Sequence, residues 1–232
     1  MHMKTLFDRR ILALVCVNAA LYVFILIIVI GEATGQTSAE VSFIGDLLKY
    51  AGIISCLFIC IFALSHPRRE VAGIQAIVFA FTLGADFFLL FTPFFAVGAA
   101  VFCGAHICAL LRYRPRVLLP ACICAAAVFI IAATVLHLPM ATAVPCAYTV
   151  LIISVTISTF FADQPRLNAI FSRLGMLLFI ACDINVAFFN ALPSENILHT
   201  AAIFLMWGFY LPAQTLLALS ATSFVCYNEK QQ

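Results

Sequence analysis

A carboxylate sits where the surrounding sequence offers it no water. Residues 79–91 read Phe-Ala-Phe-Thr-Leu-Gly-Ala-Asp-Phe-Phe-Leu-Leu-Phe, with Asp86 set deep in the run. A charged side chain at the centre of a membrane helix costs about 2.5–3.5 kcal/mol on insertion scales, so such a residue has a partner, a wet cavity or a task. A second carboxylate, Asp183, lies in Leu177-Leu-Phe-Ile-Ala-Cys-Asp183-Ile-Asn-Val-Ala-Phe-Phe-Asn190, and shares a helical face with Asn190. His106 is embedded in the next apolar run after Asp86, with Tyr113 seven residues further along the same face. Tyr210 and Gln214 are one turn apart near the C terminus, and Lys49 interrupts an early apolar run. Two buried carboxylates permit acid–base chemistry on a reacting bond. They equally permit a proton or cation relay in a transporter, with Lys49 as a further charge.

The chain that must position these groups is 232 residues long, 65% hydrophobic and 9% charged. Soluble domains carry about 25% charged residues, so an ordinary soluble domain is excluded. Apolar runs long enough to cross a bilayer recur from end to end, and they lack the short alternation of barrel strands. The expected fold is an all-α, polytopic membrane protein forming a single transmembrane domain over residues 1–232. Its eight spans are expected at about 11–30, 43–64, 71–91, 94–111, 117–136, 141–161, 169–190 and 199–224. The first run is too long for a secretory signal and has no small-residue cleavage site. A tight turn at Thr92-Pro93 predicts an antiparallel hairpin of the third and fourth spans.

With eight spans, eleven of the twelve Lys and Arg residues fall on one side. They are Lys4, Arg9, Arg10, Arg68, Arg69, Arg112, Arg114, Arg116, Arg166, Arg173 and Lys230. The positive-inside rule makes that side, and both termini, cytoplasmic. Lys49 is the exception. Its stripe with Asp46, Ile53, Cys56 and Cys60 leaves it either snorkelling to the outer interface or pairing with an intramembrane carboxylate or a phosphate. Counting about 1.5 Å per residue puts Asp86, Asp183 and Lys49 roughly 10 Å below the non-cytoplasmic surface. The same arithmetic puts His106, Tyr210 and Gln214 roughly 15–22 Å below it. A shared cavity nearer the non-cytoplasmic side follows, in a bacterial inner membrane or a eukaryotic endomembrane.

Other features read as structure. The ten cysteines sit in apolar surroundings and pack as small hydrophobes. The fifth span, nearly without polar residues, faces lipid or serves as scaffold. Ser and Thr residues of the sixth span, and Asn18 with Tyr22 in the first, suit close helix contact. No His, Cys and Asp group has metal-ligand spacing, and no Gly-x-Ser-x-Gly elbow is present. A reaction without metal, cofactor or acyl-enzyme is therefore expected, and no nucleic-acid partner. Gly84-Ala-Asp86 and Ala181-Cys-Asp183 hint at an internal duplication 97 residues apart. Pro93, Pro139, Pro145 and Pro212 suit the transporter reading, because carriers break helices beside a central site.

Gly84, Asp86, Phe95, Gly98, Phe102, His106 and Tyr113 resemble the first half of the YhhN-type lysoplasmalogenase family. Asp183, Ala187, Phe188, Tyr210 and Gln214 are similar to its second half. Lys49 resembles the lysine of a Lys-Pro pair, with Tyr50 where the proline is expected, and Cys182 stands where a serine is often found. The resemblance implies an eight-helix membrane enzyme that hydrolyses the vinyl-ether bond of a lysophospholipid substrate, releasing a fatty aldehyde and a glycerophospho head group. On that reading Asp86 and Asp183 are catalytic, as in glycosidases that use two carboxylates around a related cation. His106 orients a carboxylate or moves a proton, or packs between helices. Tyr210, Gln214 and Asn190 contact the polar part of the substrate, and Lys49 attracts its phosphate.

Overall fold

The computed structural model describes residues 8–223 of the protein. They form α1 (Arg9–Ala33), α2 (Ala39–Ala63), α3 (Arg69–Phe91), α4 (Phe95–Tyr113), α5 (Pro115–Ile130), α6 (Met140–Phe161), α7 (Arg166–Ala191) and α8 (Ile197–Leu219). A π-helical turn, Ile131–Val135, extends α5, so eight described helices are long and apolar enough to span a membrane. The helix starts are written locally. Asp8, Ser38 and Asn196 accept hydrogen bonds from Arg10 N, Val41 N and Leu198 N, capping α1, α2 and α8. Pro115 opens α5, where its missing N–H removes nothing.

The last span departs from expectation. The sequence carried it to residue 224, whereas α8 ends at Leu219 and Ser220 caps it, its N–H bonding Leu216 O at 2.8 Å. The carbonyl groups released there go to other helices. Asn168 Nδ2 donates to Ser220 O and Thr222 O at 2.8 and 2.7 Å, and Arg112 donates to Ser220 O at 2.9 Å. Hydropathy continues past the helix, but the last turn is fixed by polar partners. Residue 224 lies outside the described residues.

Helix contacts close a ring: α2 on α3, α3 on α4, α4 on α6, α6 on α7, α7 on α8 and α8 back on α2. α1 lies outside against α2 and α8, and α5 outside against α4 and α6. These outer helices bury little of themselves, and their exposed side chains, such as Phe24, Ile27, Ile123 and Ile130, suit lipid. The fifth span, expected to face lipid or serve as scaffold, packs on the outside of α4 and α6 with exposed apolar side chains. The α3–α4 hairpin expected at Thr92-Pro93 is present, with Thr92 Oγ1 donating to Phe88 O at 2.8 Å and accepting from Phe94 N at 3.2 Å.

Glycines let two helix pairs approach at backbone range. A Cβ at Gly98 would lie 2.7 Å from the Leu89 side chain and 3.1 Å from Ala85 O. One at Gly175 would lie 2.9 Å from Leu217 Cγ and 3.1 Å from Ala213 O. Such small-residue contacts let membrane helices meet at backbone range.

Of the four prolines singled out, Pro93 and Pro139 lie between helices, and Pro145 and Pro212 do not break theirs. α6 runs through Pro145 and α8 through Pro212. A proline leaves the carbonyl four residues earlier without its donor, and for Pro212 that carbonyl is Gly208 O. The Tyr22 hydroxyl of α1 donates to it at 2.9 Å. Asn18, one turn earlier, donates to Thr215 Oγ1 at 3.1 Å and to Cys56 Sγ at 3.2 Å. The pair read as helix glue fastens α1 to α8 and α2. In α6, Ser154, Thr156, Ser158 and Thr159 turn their hydroxyls onto their own helix carbonyls, which lets them be buried between helices at no polar cost.

Candidate functional site

Within the ring, α3, α4, α6, α7 and α8 enclose a cavity of about 730 Å³. Its lining includes both carboxylates, Asp86 and Asp183. Its walls are mainly apolar, with Leu89, Phe95, Phe102, Phe179 and Met206 among them. Much of the remaining lining comes from the C-terminal turns of α3 and α7 and the N-terminal turns of α4 and α6, with Trp207 and Tyr210 added from the middle of α8. The cavity therefore occupies the end of the bundle opposite most of the arginines.

Each carboxylate is held by a tyrosine hydroxyl from another helix. Tyr210 OH donates to Asp86 Oδ1 and Oδ2 at 2.8 and 2.6 Å. Tyr148 OH donates to Asp183 Oδ2 at 2.6 Å. Helix direction explains how these groups meet. Side chains on a helix lean toward its N terminus. α3 and α7 run one way through the bundle and α6 and α8 the other, so the aspartates lean away from the cavity end and the tyrosines lean toward it. Tyr210, placed by residue counting at a deeper level than Asp86, reaches it by this tilt and the length of its ring.

The two carboxyl groups are not equivalent. Asp86 is 5% exposed, and one hydroxyl engages both of its oxygens. Asp183 is half-buried, and Tyr148 engages only Oδ2. The hinted duplication does not extend to these partners, because Tyr148 and Tyr210 are 62 residues apart rather than 97. Aromatic rings form the wall between the pairs. Phe179 lies edge-on to Tyr210 at 5.8 Å and to Phe102 at 5.9 Å, and Phe102 lies edge-on to Tyr148 at 6.0 Å.

The other expected residues divide. Asn190 lines the cavity and is exposed, its Nδ2 turned onto Val186 O at 2.8 Å. His106 does not line it. The imidazole is buried behind the wall, 5.0 Å from the Tyr148 ring and 5.7 Å from Phe179, with Nε2 unpartnered among the described residues. Gln214 is also buried outside the lining, with Nε2 unpartnered among the described residues. Lys49 stands outside too, and its charge is already met by Asp46 Oδ1 at 2.9 Å and Glu32 Oε2 at 3.9 Å. Ser42 Oγ bonds the same Glu32. Lys49 reaches the cavity only through Trp207, with Nζ 4.1 Å from the centre of that ring, which is a lining residue. Among the described residues no three His, Cys, Asp or Glu side chains are grouped to hold a metal ion. The nine described cysteines are free thiols; the tenth, Cys226, lies outside the described residues.

Tyr148 and Trp207 escaped the sequence reading. A signal for Tyr148 was present, since a phenol inside an apolar span needs a hydrogen-bond partner, and its span offered no charged one. Trp207, the single tryptophan, has no local sequence feature that marks a role.

A ring of membrane-length helices around an apolar cavity with two tyrosine-bonded carboxylates defines a polytopic membrane protein with an intramembrane polar site. No curated protein matches the chain, and no solved structure does. The model of the YhhN family matches residues 46–221, and the chain belongs to that family.

Proposed function

We propose that the protein is a membrane-embedded hydrolase that cleaves the vinyl-ether bond of lysoplasmalogen-type lysophospholipids. The observation that carries this reading is the pair of unlike carboxyl groups on one apolar cavity. Cavities of this size accommodate drug-sized ligands. The alkenyl chain lies along the phenylalanine and leucine walls, and the glycerophospho portion sits toward Asn190 and Thr142 at the outer end.

Asp183, with Oδ1 free of any hydrogen bond to the described residues, begins as the neutral acid. Its proton goes to the alkenyl carbon distal to the ether oxygen. The alkene π pair forms the new C–H bond, leaving an oxocarbenium ion and an Asp183 carboxylate. Asp86, held as a carboxylate by Tyr210, lies against that cation and stabilises it electrostatically. Water adds to the cation and gives its proton to Asp183, yielding a hemiacetal. The hemiacetal collapses as its hydroxyl loses a proton and the glycerol oxygen gains one, breaking the C–O bond. One water is consumed, and a fatty aldehyde and a glycerophospho head group leave. The tyrosines orient the carboxyl groups throughout, and His106 supports the Tyr148 ring from behind.

In the membrane, the arginine-bearing end and both termini face the cytoplasm under the positive-inside rule, which places the cavity toward the other surface. The rival reading is a proton-coupled carrier built on the same carboxylates. Continuity of α6 and α8 through Pro145 and Pro212 favours a fixed site over the discontinuous helices that carriers use. Purified protein incubated with an alkenyl lysophospholipid should release aldehyde, and Asp86→Asn and Asp183→Asn should each abolish release while eluting as monodisperse protein. Proton-coupled uptake into proteoliposomes without aldehyde would instead establish the carrier.

A further inference from the structure

At the opposite end of the bundle two arginines stand without a counterion among the described residues. Arg68 precedes α3, and Arg112 lies in the last turn of α4. Among the described residues neither has a carboxylate within ion-pair distance. Arg112 is fixed by neutral partners. It donates to Gln75 Oε1 and, through Nη2, to Ser220 O at 2.9 Å and Ser220 Oγ at 2.8 Å. Its guanidinium also lies 4.6 Å from the centre of the Tyr113 ring. Arg68 is half-buried, and its Nη1 is fully covered yet makes no hydrogen bond among the described residues. Burial first, and then the nearby charge of Arg112, push the Arg68 guanidinium below arginine's ordinary value, with Tyr113 acting in the other direction. Tyr113 is 6% exposed, and its hydroxyl is buried without a partner among the described residues.

Two neighbouring guanidinium groups repel one another, and a covered N–H and O–H without acceptors cost about 1–3 kcal/mol each. An anion with several acceptor oxygens relieves all three at once. Arginine's planar fork suits a phosphate best. The same end of the bundle is basic, since Arg69 opens α3, Arg114 joins α4 to α5 and Arg116 lies in the first turn of α5. We propose that Arg68, Arg112 and Tyr113 form a phosphate-binding site at this end of the bundle, separate from the cavity. The phosphate belongs either to a lipid head group or to a free phosphate ion.

The test is thermal unfolding of the full chain in an uncharged detergent, titrated in one arm with phosphatidylglycerol and in the other with inorganic phosphate. Phosphatidylcholine, whose phosphate is masked by a cationic group, serves as the comparison lipid. The wild type should melt at higher temperature as one of the phosphate sources is added. Arg68→Gln should shift the half-saturating concentration at least tenfold upward, and Tyr113→Phe should shift it severalfold. Without phosphate, both variants should melt no lower than the wild type, because neither side chain loses a hydrogen bond and Arg68→Gln removes a repulsion. A response to lipid alone assigns the site to a head group; a response to both assigns it to phosphate in general. Equal half-saturation in the wild type and both variants, or no response to either source, overturns the proposal. Should Arg68→Gln not fold, Tyr113→Phe decides the matter alone.

Discussion

Removing the Tyr210 hydroxyl tests the proposed chemistry most directly. Tyr210→Phe keeps the ring, and with it the edge-on contacts to Phe179 at 5.8 Å and Trp207 at 5.7 Å. What goes is one O–H that contacts both oxygens of a buried carboxyl group at 2.8 and 2.6 Å. Hydrogen bonds to charged groups contribute about 1.5–3 kcal/mol. If the full amount is felt as the cation forms beside Asp86, kcat falls about 10- to 150-fold, at 1.36 kcal/mol per factor of ten. The hydroxyl faces Asp86 rather than the outer part of the cavity, so KM should change little. Steady-state aldehyde release from an alkenyl lysophospholipid gives both constants, with an elution profile to establish folding. Tyr148→Phe, which strips a single contact from Asp183, should lower kcat by about tenfold on the same scale. A Tyr210→Phe enzyme with wild-type kcat, or with only a raised KM, would refute the idea that Tyr210 fixes a catalytic carboxylate.

Three further outcomes concern the scaffold. Tyr22→Phe strands Gly208 O and should cost about 1–3 kcal/mol of stability; in a Pro212→Ala background the restored N–H supplies the donor, so the loss should shrink in thermal melts. Gly175→Val forces a side chain onto Leu217 and Ala213 O and should destabilise by about 1–3 kcal/mol or more, as overpacking does; an unchanged melting temperature would contradict the close α7–α8 contact. Asp8 is held down to about 2, from 3.8, chiefly by the hydrogen bonds to Arg10. Because the folded value is depressed, its contribution is complete above about 4 and disappears as pH falls toward 2. The melting difference between wild type and Asp8→Asn should therefore be constant from pH 5 to 8 and narrow only in strong acid.

How much of this was legible beforehand differs by feature. The spans were readable because a bilayer imposes length and hydropathy on each segment separately, so no knowledge of neighbours was needed. With the π-helical turn counted into the fifth span, four of the sixteen expected ends lie three or more residues from those observed: 30, 43, 169 and 224, the clearest being the last, where Arg112 and Asn168 rather than hydropathy stop α8. Asp86 and Asp183 stood out because an isolated charge in an apolar run is conspicuous whatever surrounds it. Lys49 was equally conspicuous, yet its role depended on Glu32 and Asp46, which a stripe along one helix does not reveal. His106 and Gln214 share a face with cavity residues, but the rings of Phe102, Phe179 and Tyr210 fill the space at the cavity and leave both behind the wall.

The amino-acid sequence alone determined an eight-span membrane protein and the two carboxylates in its interior, because insertion into lipid is priced residue by residue along the chain. Only the tertiary structure decided that α1 and α5 stand outside the ring, that Tyr148 and Tyr210 hold the aspartates, and that Lys49 is neutralised elsewhere. Those outcomes depend on which helices touch and on the direction in which each runs, and partners that lie 35 and 124 residues apart leave no local trace.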